Sequence, residues 1–148
     1  MIIDNVNFND LDEIYNLESK SFKKDSFSKD LIYNLIQMNR YFFKLIADDL
    51  SNDIVGFVIL IQDQEDRLNL INFLIRKGDR KRGYGCFLLK YTLKKVMALD
   101  KIKTIVLNVN SKNKAAISLY QKFNFRIVQR IENYYRDKQS AYLMILNL

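Results

Sequence analysis

The chain has no histidine, no proline and a single cysteine, Cys86. Without histidine there is no Ser/His or Cys/His nucleophilic site, and metal sites built on imidazole are excluded. Its chemistry must therefore use carboxylates, phenols, amides and backbone groups. One cysteine cannot form an internal disulfide, so a cytoplasmic location is the default expectation. The longest uncharged apolar run is Ile54 to Ile61, far below the roughly 20 residues that cross a bilayer. Asp4 and Asp10 lie where a leader would carry a basic segment and then an apolar one, so no secretory signal is expected. The lack of proline, beside many Asn, Ile and Lys, fits a nucleotide bias in the source genome and carries no functional argument.

At 148 residues the chain is long enough for one core and too short for two ordinary domains. A hydrophobic fraction of 49% with 28% charged residues is that of a globular protein. The net charge of +7 suits a polyanionic partner, either a coenzyme or a nucleic acid. No basic helix with interleaved aromatics stands out, so nucleic acid is not the expected partner. Instead the positive charge peaks at Arg76, Lys77, Arg80, Lys81 and Arg82, against the single acid Asp79.

Glycine is also scarce, yet two of the four fall at Gly83 and Gly85 in this basic stretch. An apolar run ending at Ile75 precedes them, and the amphipathic pattern Cys86-Phe87-Leu88-Leu89-Lys90-Tyr91 follows. Extended run, glycine turn and helix in that order gather several backbone N–H groups and a helix N-terminus where an anion can be held. A side chain on either glycine would hold a phosphate away from the amides. The plain alternative is a tight turn with a solvated basic rim. A P-loop is excluded by the missing Gly-Lys-Ser/Thr ending, and the spacing is not the three-glycine dinucleotide fingerprint.

In order, Met1 to Phe8 reads as a strand, and Asn9 or Asp10 as the cap of a helix with Leu11, Ile14, Tyr15 and Phe22 on one face. After a break at Lys23-Lys24-Asp25, Ser28 caps a second helix with Leu31, Ile32, Leu35, Ile36 and Met38 on its buried side. Tyr41 to Ala47 and Ile54 to Ile61 are strands joined by a hairpin at Asp48 to Asp53, with Gly56 marking a bulge or close backbone approach. A polar turn at Asp63 to Asp66 leads into the strand Leu68 to Ile75. Residues 84 to 99 form a helix with Phe87, Leu88, Tyr91, Val96 and Leu99 on its stripe. Thr104 to Val109 is the next strand, which makes a βαβ unit with a parallel pair. Asn110 or Ser111 starts a helix whose face is Ala115, Ala116, Leu119, Tyr120 and Phe123. Phe125 to Ile131 and Ala141 to Leu148 close the sheet. One mixed-sheet α/β domain over residues 1–148 accounts for this order.

The pattern Arg80-x-x-Gly83-x-Gly85 resembles the acetyl-coenzyme A signature of the GNAT acetyltransferase superfamily. A second stretch resembles its other signature: Leu107-Asn108-Val109-Asn110-Ser111-Lys112-Asn113-Lys114-Ala115-Ala116-Ile117-Ser118-Leu119-Tyr120, followed by Lys122-Phe123-Asn124-Phe125. Within the superfamily the chain is similar to ribosomal-protein alanine acetyltransferases and archaeal protein N-terminal acetyltransferases. That similarity rests on Glu18, Ser21, Phe22, Asp25, Phe27 and Ser28, where the family's Pro-Trp is missing, on Asn72-Phe73-Leu74-Ile75, and on Asn133-Tyr134-Tyr135-Arg136. The resemblance implies a single-domain GNAT-like fold, with a mostly antiparallel twisted sheet of about six or seven strands, about four helices and the parallel pair at the coenzyme site.

It also implies acetyl-coenzyme A as donor and a protein or peptide N-terminus, a ribosomal protein among the candidates, as acceptor, with the chain a monomer or weak dimer away from any membrane. Leu74, Ile75, Arg80, Lys81, Arg82, Gly83, Tyr84, Gly85, Asn113 and Tyr120 then fall to the coenzyme, and Phe22, Phe27, Asn72, Asn108, Tyr134 and Tyr135 to the acceptor. No metal is implied. Tyr120 matches the tyrosine placed beside the coenzyme sulfur, where hydrogen bonding suits it better than full proton transfer; a core role is its alternative. The family's usual catalytic glutamate falls at Asn108, whose amide cannot take a proton. Glu18, acting through water, and a water chain to bulk remain as routes for the proton, against the alternative that Glu18 is an exposed helix acid. An α-amine of pKa near 7.7 to 8.0 is roughly a tenth neutral at pH 7, a lysine about a thousandth or less, so a site without a strong base suits N-termini. Asn113 has helix capping, and Tyr134 and Tyr135 hairpin packing, as plain alternatives. Cys86 reads as a buried helix residue. A small-amine acetyltransferase, or a non-catalytic module for coenzyme or nucleic acid, stays open.

Overall fold

The computed structural model describes residues 1–38, 41–47 and 50–148. In chain order its elements are β1 (Ile2–Asn5), α1 (Leu11–Phe22), α2 (Lys29–Met38), β2 (Tyr41–Ile46), β3 (Ile54–Gln64), β4 (Arg67–Ile75), α3 (Tyr84–Met97), β5 (Thr104–Asn110), α4 (Lys114–Lys122), β6 (Arg126–Ile131) and β7 (Ala141–Asn147). The seven strands form a sheet in the order β1-β2-β3-β4-β5-β7-β6. Pairing is antiparallel for β1 with β2, β2 with β3, β5 with β7 and β6 with β7. β4 and β5 run parallel, over Arg67–Leu70 against Thr104–Leu107. The expected mixed sheet, its parallel pair and the four helices are therefore present. The hairpin expected at Asp48 to Asp53 includes residues 48 and 49, which lie outside the described residues.

Contacts divide the chain into two compact units, Met1–Leu60 with Asn72–Thr92, and Ile61–Ile71 with Leu93–Leu148. In the first, every residue of β3 from Ile54 to Leu60 is buried, the pattern of a strand covered on both faces. Ile14, Ile32, Leu45, Phe57, Ile59, Leu88 and Leu89 complete its core. The first strand stops at Asn5 rather than Phe8, because Asn7 opens a 3-10 turn over Phe8–Asp10 and accepts the N–H of Asn9. Neither Asn9 nor Asp10 caps α1 with its side chain. The Asp10 carboxylate instead accepts from the Asn7 N–H at 2.9 Å and pairs with Lys44 Nζ at 2.8 Å, both side chains nearly buried.

Ser28 does cap α2, accepting the N–H of Leu31 at 3.1 Å. The expected break at Lys23-Lys24-Asp25 is a 3-10 turn. The buried faces expected for the helices are narrower than their apolar stripes. In α2 only Ile32 is buried, with Leu31 and Met38 exposed, and Phe22, Phe87 and Leu99 are also exposed. α3 buries Leu88 and Val96 as expected and adds Leu89, Thr92 and Leu93, while Phe87 is exposed and Leu99 lies beyond the helix end.

The second unit has its core at Leu68, Leu70, Val96, Ile105, Leu107, Phe125, Met144 and Leu146. β3 runs on to Gln64 and β4 starts at Arg67, so the polar turn contracts to Glu65 and Asp66. α4 starts three to four residues later than expected. Asn113, accepting the N–H of Ala116 at 3.2 Å, is its cap, while Asn110 closes a turn by accepting from Lys112 N–H. Among the described residues no helix is long and apolar enough to cross a membrane.

Candidate active site

The connection from β4 to α3 turns on two positive φ angles, 65° at Lys81 and 81° at Gly83. The Gly83 carbonyl accepts the N–H of Phe87 at 3.1 Å, which makes Gly83 the residue that caps α3. A glycine cap supplies no side-chain oxygen to the first N–H groups of the helix, those of Tyr84, Gly85 and Cys86. These groups and the positive end of the helix dipole are what an anion would meet. A β-carbon at Gly83 would touch nothing within 4 Å, so the approach to the backbone is open. Gly85 lies in the first turn of α3, and Cys86 beside it is half-buried rather than buried.

Asp79 shapes this loop, at 2.6 Å from Arg76 Nε and 3.8 Å from Arg82. Arg80 Nε donates to the carbonyl of Ile75 at 3.0 Å, binding the loop to the end of β4. Arg80, Lys81 and Arg82 are all exposed. The result is a turn with one acid inside and cations outside.

Gly56 makes the close approach expected of it. A β-carbon there would lie 2.7 Å from both the Leu74 carbonyl oxygen and the Ile75 side chain. The β2–β3 register shifts between Leu45 and Ile46, which makes Val55 the bulged residue of β3, and the Val55 carbonyl accepts from Arg76 N–H at 2.7 Å. The Leu74 carbonyl thus lies against Gly56 and the Ile75 carbonyl is taken by Arg80. Successive strand residues face opposite edges, so with Arg76 turned to β3 the N–H of Ile75 is directed to the other edge of β4.

Glu18, on α1, is not an exposed acid: it is 1% exposed. One carboxylate oxygen accepts from the backbone N–H of Phe27 at 2.9 Å. The other accepts from the side-chain amide of Asn72, itself buried on β4. Desolvation raises the Glu18 pKa above its ordinary value, against the lowering effect of the Phe27 and Asn72 hydrogen bonds. Phe27, half-buried, and Phe22, exposed, flank the same connection between α1 and α2.

In the second unit Asn108 is exposed in the middle of β5, between buried Leu107 and Val109. Its side-chain amide donates to the Tyr134 hydroxyl at 3.3 Å. Tyr134 is half-exposed and meets Tyr135 edge-on at 4.9 Å between ring centroids. Asn110, two residues along and so on the same face of β5, donates to Gln139 at 2.5 Å. The N–H of Ser111 donates to the Ser140 carbonyl at 2.9 Å, and Ser140 Oγ donates to Glu132 at 2.8 Å. These bonds fix the tyrosine loop onto β5; Asn110, expected as a helix start and part of the second signature, holds this loop instead, and its two-residue spacing from Asn108 is the signal for a shared face.

Tyr120 is buried on α4, 5.6 Å from the Phe125 ring. Burial, and to a lesser extent the nearby Tyr135 phenol, push its pKa well above the ordinary value. It stays protonated throughout the neutral range and is a poor acid, though it remains a hydrogen-bond donor. Asn113, exposed at the start of α4, uses its side-chain oxygen on the cap.

Residues 11–125 match the acetyltransferase (GNAT) family. An N-alpha-acetyltransferase of Sulfolobus acidocaldarius is 32% identical over 91% of this chain and 85% of its own. The crystal structure of Ard1 from Thermoplasma volcanium superposes with a TM-score of 0.88 at 22% identity, over 99% of this chain and 97% of that one. The ribosomal-protein-alanine N-acetyltransferase of Escherichia coli gives 0.84 at 23% identity, over 99% and 92%. The two structural matches establish the likeness of fold.

Proposed function

The chain belongs to the acetyltransferase (GNAT) family, and from that premise we propose that it transfers an acetyl group from acetyl-coenzyme A to the α-amine at a protein or peptide N-terminus, by direct attack in a ternary complex. The observation that carries this is the glycine cap at Gly83, where the amides of Tyr84, Gly85 and Cys86 open α3 without a capping side chain. A pyrophosphate suits that place: the first N–H groups of α3 have no capping side chain, a β-carbon at Gly83 would find open space, and Arg80, Lys81 and Arg82 are exposed. The coenzyme brings an activated thioester; the chain holds and orients it. Ile75 offers its N–H to the pantetheine, with Leu74 held behind it by Gly56. The carry-over from the family gives Asn113 a further hydrogen bond to the coenzyme, and Tyr120 a hydrogen bond to the thioester sulfur.

With an amide at Asn108, no carboxylate stands at the family's usual place to take the proton of the amine. An α-amine needs little help, since roughly a tenth is already neutral at pH 7. Asn108, Tyr134 and Tyr135 form a polar and aromatic wall on which an extended N-terminus can lie, Asn108 and Tyr134 fixing each other's orientation. Phe22 and Phe27 belong to the acceptor side in the first unit. We take residues 1–148 as one acetyltransferase domain acting in the cytoplasm on protein or peptide N-termini, a ribosomal protein among the candidates, as a monomer or weak dimer. Incubation with acetyl-coenzyme A and a library of peptides with free N-termini tests the reading: acetylated peptides support it, and a library left unmodified refutes it.

A further inference from the structure

We infer that Glu18 is a positioning residue for the acceptor side of the site, clamping the α1–α2 connection to β4, and that it does not take the proton of the amine. The inference rests on the N-terminal acetylation reading above and deepens it. A base acting through water needs a path from its carboxylate to the reacting amine. Glu18 is 1% exposed, and each oxygen already accepts a hydrogen bond from the chain, one from Phe27 N–H and one from the Asn72 amide. What those two bonds share is informative. Phe27 closes the connection that also carries Phe22, and Asn72 stands two residues before Leu74, whose carbonyl packs against Gly56. A single carboxylate thus sets where that connection lies relative to the strand that ends at the coenzyme loop.

The placement is costly enough to need a reason. A carboxyl in an apolar site is unfavourable unless its lone pairs are met, and Asn72 occupies a buried position that Leu68, Leu70 and Leu74 fill with leucine on the same face of β4. An all-apolar pair would pack at least as well but would leave the Phe27 amide without its acceptor. The two buried polar side chains satisfy each other and one backbone N–H.

The experiment compares Glu18→Gln with Glu18→Ala in steady-state kinetics with acetyl-coenzyme A and an acceptor peptide, and in hydrogen exchange at the Phe27 amide without substrates. Glutamine keeps an acceptor for Phe27, and Asn72 can turn its own amide to accept from the new NH2. The expected result is an E18Q enzyme with kcat within about threefold of wild type, and an E18A enzyme whose acceptor KM rises about tenfold or more while its acetyl-coenzyme A KM holds. The Phe27 amide should exchange faster in E18A and at the wild-type rate in E18Q. A fall of about a hundredfold or more in kcat for E18Q, with KM and exchange unchanged, would make Glu18 the base and overturn the inference. Should E18A fail to fold, E18Q decides alone. Should the wild-type protein acetylate no peptide, the activity reading falls and the exchange comparison still judges the clamp.

Discussion

The side-chain amide of Asn72 donates to the buried carboxylate of Glu18, 54 residues earlier in the chain. With the Phe27 N–H on the other oxygen, the pair ties a helix, a connection and a strand together at one point. It is also a titrating point.

Burial raises the Glu18 pKa in the folded protein above the ordinary 4.5. The folded state therefore binds more protons than the unfolded one between 4.5 and the raised value, and stability falls as pH rises through that window. Below 4.5 the contribution is favourable in full, and above the raised pKa it is lost. Urea unfolding of wild type and Glu18→Gln across pH 4 to 8 should show wild type losing stability relative to the variant as pH rises. A constant difference would mean that the carboxyl titrates normally.

Gly83 has φ 81°, where a β-branched residue is strained. Gly83→Val should weaken coenzyme A binding about tenfold or more in calorimetry, roughly 1.4 kcal/mol, while the thermal transition remains cooperative. Unchanged affinity would remove the glycine cap from the anion site.

Burial holds Tyr120 protonated, so the part proposed for it in the reaction is that of a hydrogen-bond donor. Tyr120→Phe should lower kcat about 10- to 100-fold, as expected for one hydrogen bond to a developing charge, with coenzyme affinity little changed. Because the phenol titrates far above neutrality, the alkaline side of the wild-type rate profile should stay flat to about pH 9. Equal rates for the two enzymes would reduce Tyr120 to packing against Phe125.

Asp10 and Lys44 form a nearly enclosed ion pair, their side chains 13% and 11% exposed. Asp10→Ala strands the ammonium and should cost about 3 kcal/mol or more in urea unfolding. The double variant Asp10→Asn with Lys44→Met should recover much of that loss. A double variant no more stable than Asp10→Ala would show that the stranded ammonium is not what the single variant loses.

The order of strands and helices along the chain, the parallel β4–β5 pair and the glycine turn into α3 were legible because they rest on local signals: β-branched and aromatic runs, and glycines at a strand-to-helix turn. Helix starts were less legible, since Asn7, Asn9, Asp10, Asn110, Ser111 and Asn113 all belong to good capping types, and tertiary partners such as Lys44 decided which side chain did the capping. The burial of Glu18, against the alternative of an exposed helix acid, was hidden for a related reason. It lies in phase with Leu11 and Ile14 on α1, and Asn72 in phase with Leu70 and Leu74 on β4; each alone looks like an exposed polar residue, and only their meeting explains the burial. The loop 132–140 was readable as a tyrosine hairpin, but its attachment through Asn108 and Asn110 depends on pairing between β5 and β7 that no local pattern specifies.

Transfer to an α-amine is read out by fragmentation mass spectrometry of a peptide that carries one free N-terminus and one internal lysine, after incubation with the protein and acetyl-coenzyme A at several pH values. Acetylation is expected at the N-terminus, with a rate that rises with pH up to the α-amine pKa near 8. Acetyl found on the lysine alone, or no transfer while coenzyme A still binds, would contradict it.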